Sequence, residues 1–307
     1  MVSGVLSRSL DPQEHEIVFS GGKGKNATKP KNEIPKFAED YFNLSSKKID
    51  DLVYASKMTA KVDNTLIQDG YNLYHHAILF DNKGNWTVFQ QGLNPHNKMA
   101  RRYHWISDEI HNYLNNPHSG IICSKKNKKT LNMTAKESEN NRKTCIDIVN
   151  ERSEKVIRSV RLLNQNVTEN SLDRWFENTE NVKIKIHKNY EMPRKIDWKV
   201  LDRIYNVRPQ NYEGLIEVKG VGPSTVRALA LIAELIYGNN ASWEDPVKYN
   251  FAHGGKDGVP YPVSKKTYDN SIKYLIGAIE GSELERDERI NSLKRLQTFS
   301  ESLFESN

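Results

Sequence analysis

The chain has 307 residues, 37% of them hydrophobic and only two of them cysteine, Cys123 and Cys145, so it can bury real cores but lacks the thiols for a disulfide framework or a four-thiolate zinc site. No apolar run approaches the ~20 residues of a membrane span and the opening residues lack a signal-peptide core, which predicts a soluble, cytoplasmic protein with no membrane partner. The net charge of +6 suits a polyanionic partner without demanding one.

Residues 1–35 are rich in Gly, Lys, Asn and Pro and read as loop around one short strand, Glu16–Phe19, an incomplete opening for a domain. From Glu33 to Ala60 the apolar spacing and the start signal Ser45-Ser46 predict two short helices. Leu73–Asp81 and Trp86–Gln91, joined by Asn82-Lys83-Gly84-Asn85, predict a β-hairpin. A basic aromatic segment, Arg101-Arg102-Tyr103-His104-Trp105, precedes a helix expected over Asp108–Leu114. Ile121–Leu131 reads as a strand, a lysine-rich turn and a returning strand, and Thr134-Ala135-Lys136-Glu137 as a capping box opening a helix to about Asn164. The polar stretch near residues 165–185 is the expected domain boundary. Helices follow at Asp197–Tyr205, Tyr212–Val218 and Ser224–Tyr237, then a Gly-Pro loop over 238–262 and two terminal helices from Ser264. The expected class is α+β: a loop-rich segment 1–35, a mixed domain 36–170 containing a small sheet, and a helical domain 185–307.

The sharpest motif is Val218-Lys219-Gly220-Val221-Gly222-Pro223-Ser224-Thr225. Two glycines break a short helix, and Pro223 suits the first turn of the next, whose buried stripe is Val226, Leu229, Ala230, Ala233 and Ile236. Unpaired amides in the turn and at the helix start, with the helix dipole behind them, form a nest for phosphate, and Lys219 and Arg227 add longer-range attraction. Such contacts hold a sugar-phosphate backbone without reading sequence. The segment resembles the helix-hairpin-helix motif of DNA repair and recombination proteins. In the glycosylase branch of that superfamily a catalytic lysine often stands two residues after the second glycine, where this chain has Ser224, which argues against lyase chemistry; Asp245 lies at only a loosely comparable distance to that branch's aspartate.

Around the predicted hairpin stand Asp63, Asp69, His75, His76 and Gln90, the candidate catalytic residues, with Asp63 and Asp69 as candidate ligands for Mg²⁺ or Mn²⁺ and Lys61 beside them. Strand alternation puts His76 on one face with Tyr74 and Ile78 and His75 on the other. Gln90-Gln91 stand where a metal nuclease would carry an acid and a lysine, so spacing does not favour metal-dependent cleavage. Arg101, Arg102, Tyr103 and Trp105 combine guanidinium groups with stacking surfaces, the means of holding single-stranded or splayed bases. The loop His253-Gly254-Gly255-Lys256-Asp257-Gly258 is a candidate phosphate cradle.

Longer blocks, among them Ala60–Asn64, Gln68–Tyr71, Tyr74–His76, Gly84–Trp86, Ala100–Trp105, Pro117–Gly120 and Phe251–Gly258, resemble a prokaryotic family common in archaea and thermophiles, domain of unknown function 763. The resemblance spans most of the chain from about Gly21 and brings no activity with it. Members carry a further segment before the Gly-Gly-Lys block, so part of the domain is expected to be missing here. Three functional readings stay open: a DNA-acting repair or processing enzyme, a hydrolase working on a phosphodiester or a base; a non-catalytic DNA- or RNA-binding module; and a small-molecule enzyme using a nucleotide. The oligomeric state is not legible.

Overall fold

The computed structural model describes Ser7, residues 10–248 other than 97, 124, 128, 152, 169–191, 194 and 195, and residues 265–297 other than 282–284, 288, 292, 295 and 296. The chain divides into two units, Met1–Tyr249 and Asn250–Asn307. The first is an α+β unit. After a short helix α1 (Pro12–His15) come β1 (Ile17–Lys23), α2 (Pro30–Tyr41) and α3 (Ser46–Thr65). Strands β2 (Ile67–Gln68), β3 (Asn72–Asp81), β4 (Trp86–Leu93), β5 (Ala100–Ile106), β6 (Gly120–Ile122) and β7 (Leu131–Asn132) follow. Helices α4 (Glu139–Asn150), α5 (Ser153–Thr168), α6 (Trp198–Val207), α7 (Tyr212–Glu217) and α8 (Pro223–Leu235) complete the described part of this unit. In the second unit α9 spans Lys265–Glu280. No described helix is long and apolar enough to cross a membrane.

Local chemistry explains most of these boundaries. The Ser45 hydroxyl caps α3 by accepting from Lys48 N at 3.4 Å, and Asn211 caps α7 by accepting from Gly214 N at 2.8 Å. The β3–β4 turn is tied by the Asp81 carboxylate, which accepts from the amides of Lys83 and Asn85, while Gly84 takes φ +86°.

The main sheet is antiparallel in the order β1-β3-β4-β5-β6. Register puts Gly22, His76, Gln90, Tyr103 and Ile121 in one row across it, and Ser20, Ile78, Val88 and Trp105 in the next. These rows face α3, which buries Leu52, Ala55, Met58 and Val62 against them. One hydrophobic cluster runs from Val18 through Leu52, Phe80 and Trp105 to Ile148, Leu201, Leu215 and Ala233. The boundary expected at 165–185 falls largely on residues 169–191, outside the described ones; among the described residues α6, α7 and α8 bury their apolar stripes in the same cluster as α3 and the sheet.

Three expectations are corrected. Asp108–Leu114 is not a helix, because the Asn112 carboxamide oxygen draws the amides of Leu114 and Asn115 into a local turn after a 3-10 turn at Ser107–Glu109. Thr134 does not cap a long helix; its hydroxyl donates to Asn132 Oδ1 at 2.6 Å, and the run breaks into α4 and α5 at an extended Glu151. The returning strand at Leu131 pairs with β2, not with β6.

Candidate functional site

The polar residues flagged in the first half separate into two buried networks. Asp63, on the sheet-facing side of α3, is fully buried and accepts from Gln90 Nε2 at 2.6 Å and Trp105 Nε1 at 3.0 Å, while its second oxygen meets His118 Nε2. Burial pushes its carboxyl upward against the pull of His118, Trp105 and Gln90. Asp69 lies in the other network, where Arg101 Nη1 donates to it at 2.6 Å and Tyr103 Oη at 2.8 Å. Arg101 also grips Asp245 with both terminal nitrogens, at 2.9 and 2.7 Å, and its guanidinium lies over the Tyr71 ring. The two aspartates are thus engaged separately, and among the described residues no group of three or more His, Cys, Asp or Glu side chains converges as a metal ion would need.

Burial corrects the expected base-stacking surface. Arg101, Tyr103 and Trp105 are each 0% exposed, so none offers a face to a ligand. Their β5 neighbours Arg102 and His104 are the half-exposed ones. Asp245, loosely likened to a glycosylase aspartate, is sealed with Arg101 at 3% exposure. The phosphate loop expected at His253, Gly254, Gly255 and Lys256 lies outside the described residues.

His75 and His76 do part company, as alternation requires, but a β-bulge between Leu73 and His75 takes Tyr74 off the face of His76. His76 is 5% exposed, and Ser56 Oγ lies 2.8 Å from its Nε2. Burial lowers its pKa to about 4, so the ring is neutral near pH 7. Its Nδ1 and the Oε1 of Gln90, directly paired across β3 and β4, are both buried, and among the described residues neither atom has a partner at hydrogen-bond geometry.

The glycine hairpin joins α7 to α8 as the sequence predicts. Gly220 takes φ +98°, Val221 N returns to Val218 O at 3.1 Å, and Val226 N bonds Gly222 O at 3.1 Å. The amides of Ser224 and Thr225 in the first turn of α8 have no carbonyl to reach within their own helix. Lys219, Gly220, Pro223 and Ser224 are exposed, while Val221 and Thr225 are buried. Two expectations change. Arg227 turns away, its guanidinium over the Trp243 ring at 5.3 Å and Nη1 3.4 Å from Gln68 Oε1, and so faces the protein. Gly220 is required by the fold itself, because a Cβ there would come within 2.7 Å of Val200 Cγ2; at Gly222 the nearest atom would be 3.9 Å away.

Val221 and Gly222 form one wall of a cleft of about 580 Å³. Opposite stand Thr28, Pro30 and Lys31 at the start of α2, with Ser56, Lys57, Lys61 and Asn64 along α3 and His76 at its lining. Two helix N-termini and three lysines therefore meet one space, a positive field for an anion. Lys61 Nζ donates to Val221 O at 2.6 Å and holds the hairpin against α3; burial, then Lys57, lowers its pKa. Lys57 is paired with Glu217 at 2.8 Å. Lys31 and Lys57 went unremarked in the sequence, although Lys57, Lys61 and Asn64 follow one helical stripe.

His118 was likewise missed, since nothing local marks a histidine 55 residues from its aspartate. Its ring lies 4.1 Å from that of Trp105, and it lines a second cleft of about 520 Å³ with Asn132, Glu137, Ser242, Glu244 and Lys248. No curated protein and no solved structure matches the chain. A family match does, covering residues 1–263, and the chain belongs to that family, described as "Protein of unknown function (DUF763)".

Proposed function

We propose that this protein binds DNA through its sugar-phosphate backbone, with the α7–α8 turn acting as a helix-hairpin-helix clamp, in the service of repair or processing inside the cell. The observation that carries the reading is the glycine turn, with Lys219, Gly220, Pro223 and Ser224 exposed, opening beside a cleft that Lys31, Lys57 and Lys61 line. Backbone amides at the start of α8 hold one phosphate, and the lysines draw the next toward the cleft. Arg203, which donates to the Lys219 carbonyl, adds an exposed cation at the outer edge of the turn. Contacts of this kind are blind to sequence and sensitive to salt. Fluorescence anisotropy with labelled duplex, single-stranded and branched DNA at about 50 and about 200 mM salt tests it, because affinity then falls steeply with salt. Absence of salt-sensitive binding to all three would sink it.

The Asp63–His118 pair favours a second reading, a hydrolase in which His118, oriented by the carboxylate, takes a proton from water in the second cleft. Incubating labelled DNA and RNA with Mg²⁺, Mn²⁺ or EDTA, with wild type and His118→Gln, decides it: cleavage lost in the variant supports the enzyme, and its absence under all conditions leaves the binding module.

A further inference from the structure

Ser56 and His76 form a buried pair that the backbone clamp leaves unused. Ser56 Oγ lies 2.8 Å from His76 Nε2, both side chains are 5% exposed, and both line the cleft of about 580 Å³ beside the glycine turn. A hydroxyl in reach of an imidazole nitrogen becomes a nucleophile only when that nitrogen carries no proton, so the tautomer decides what the pair can do. Gln90 decides the tautomer. Its Nε2 donates to Asp63 Oδ2 at 2.6 Å, an oxygen that also accepts from Trp105 Nε1 at 3.0 Å. With its amide nitrogen so engaged, Gln90 keeps Oε1 as a free acceptor, directly opposite His76 on the neighbouring strand and roughly 5 Å away at Cβ. Nδ1 is the ring nitrogen still without a partner among the described residues. A protonated Nδ1 facing Oε1 satisfies both buried atoms, whereas a bare one sets two acceptors against each other. The proton therefore sits on Nδ1, and Nε2 accepts from Ser56. Burial keeps the ring neutral near pH 7, which leaves Nε2 able to take the hydroxyl proton.

An isolated serine–histidine contact is an ordinary way to satisfy two buried groups. This one opens on a cleft lined by Lys31, Lys57 and Lys61 and by the first turn of α2, where the Lys31 amide has no carbonyl to reach within its own helix. Cations and a helix N-terminus select an anion, and the anion whose own centre a hydroxyl attacks is the phosphorus of a phosphate ester. We propose that Ser56 is the nucleophile of a phosphoryl-transfer site, with His76 as its base, Gln90 as the positioning residue that fixes the imidazole, and a phosphate ester as substrate. Ser56 Oγ bonds to phosphorus as its proton passes to His76 Nε2; the bond to the leaving oxygen, on the opposite side of phosphorus, breaks, and that oxygen takes a proton from Lys61 Nζ. Water then attacks the phosphoserine from the vacated side and gives a proton back to Lys61, while His76 returns the other to Ser56 Oγ. The ester and one water become an alcohol and a phosphate with one ester bond fewer. The site rests on the anion-attracting cleft of the backbone clamp, and not on DNA being the anion.

Fluorophosphonate–rhodamine, whose phosphorus is attacked by base-activated serine hydroxyls, tests the nucleophile on the full chain without DNA. The expected result is an adduct mapped to Ser56 by mass spectrometry, slowed by inorganic phosphate and formed about a hundredfold more slowly in His76→Gln. Nitrogen NMR of isotope-labelled histidine reads the tautomer: Nδ1 is protonated in wild type, and Gln90→Leu loses that preference. No adduct, an adduct confined to other residues, or a His76 ring protonated at Nε2 overturns the proposal in wild type alone, whether or not the variants fold. Indifference to inorganic phosphate overturns the substrate class. Labelled DNA and bis(p-nitrophenyl) phosphate then separate the two sources of ester: turnover of either, lost in Ser56→Ala of wild-type melting temperature, supports the reaction, and turnover of neither by a chain whose Ser56 labels overturns it. Salt-sensitive DNA binding without an adduct at Ser56 removes this site and leaves the clamp, whereas an adduct without DNA binding removes the clamp and leaves the site.

Discussion

Gly220 and Val200 are in contact through space that only glycine leaves open: a Cβ at Gly220 would lie 2.7 Å from Val200 Cγ2, on a backbone at φ +98°. Gly222, two residues on, has extended backbone at φ −142° and room around it. The two glycines of the hairpin therefore answer to different demands. Gly220→Ala is expected to cost about 2 kcal/mol in urea denaturation, from the positive φ and the clash together. Gly222→Ala should melt close to wild type and yet bind duplex DNA more weakly, because the added methyl group stands where a phosphate would approach. Equal loss of stability in both variants would remove the argument for Gly222.

Arg101 and Arg102 make a second contrasting pair. Arg101→Met leaves the Asp69 and Asp245 carboxylates buried without their cation and is expected to destabilise the fold by about 4 kcal/mol. Arg102→Gln removes a half-exposed charge and should shift the melting temperature little. Urea denaturation of both variants checks the contrast, and an Arg101→Met protein of wild-type stability would reverse it.

His76 gives the fold an acid sensitivity. Its pKa falls from 6.5 to about 4 on folding because burial disfavours the charged ring. The unfolded chain then binds the extra proton first, so this contribution is complete above about pH 6.5 and is lost as pH falls toward 4. The two limits differ by roughly 3 kcal/mol. Subtracting the stability of His76→Gln from that of wild type across pH 4 to 7 isolates the term from the other buried acids. A flat difference curve would show that the ring is already solvated in the folded state.

Cys123 and Cys145 are both buried and in no disulfide, and burial pushes the Cys145 thiol up, away from the reactive thiolate. Ellman's reagent should modify neither on the timescale on which it titrates both in denaturant. Rapid reaction of Cys145 in the folded protein would contradict its complete burial.

The features legible in the sequence are those whose chemistry is local. Ser45 announces α3, Asp81 with Gly84 announces the β3–β4 turn, and Gly220 to Pro223 announce the break between α7 and α8, because each acts on backbone groups within a few residues. That the hairpin presents an exposed turn followed by unpaired helix amides follows from the same few residues. The sense of β5 was not legible. Cations and aromatic groups alternate there on both faces, and a one-residue change of register exchanges them. Pairing with β4 sets Gly92 opposite Arg101, and Asp245, 144 residues away, supplies the counter-charge that lets this arginine be the buried one. The union of Asp63 with His118, the lysines gathered beside the hairpin, and the cluster that α3 and the sheet share with α6, α7 and α8 all depend likewise on groups far apart in the chain. Only tertiary packing, which fixes register and brings distant counter-charges together, decides which polar residues are sealed inside and which remain to meet a ligand.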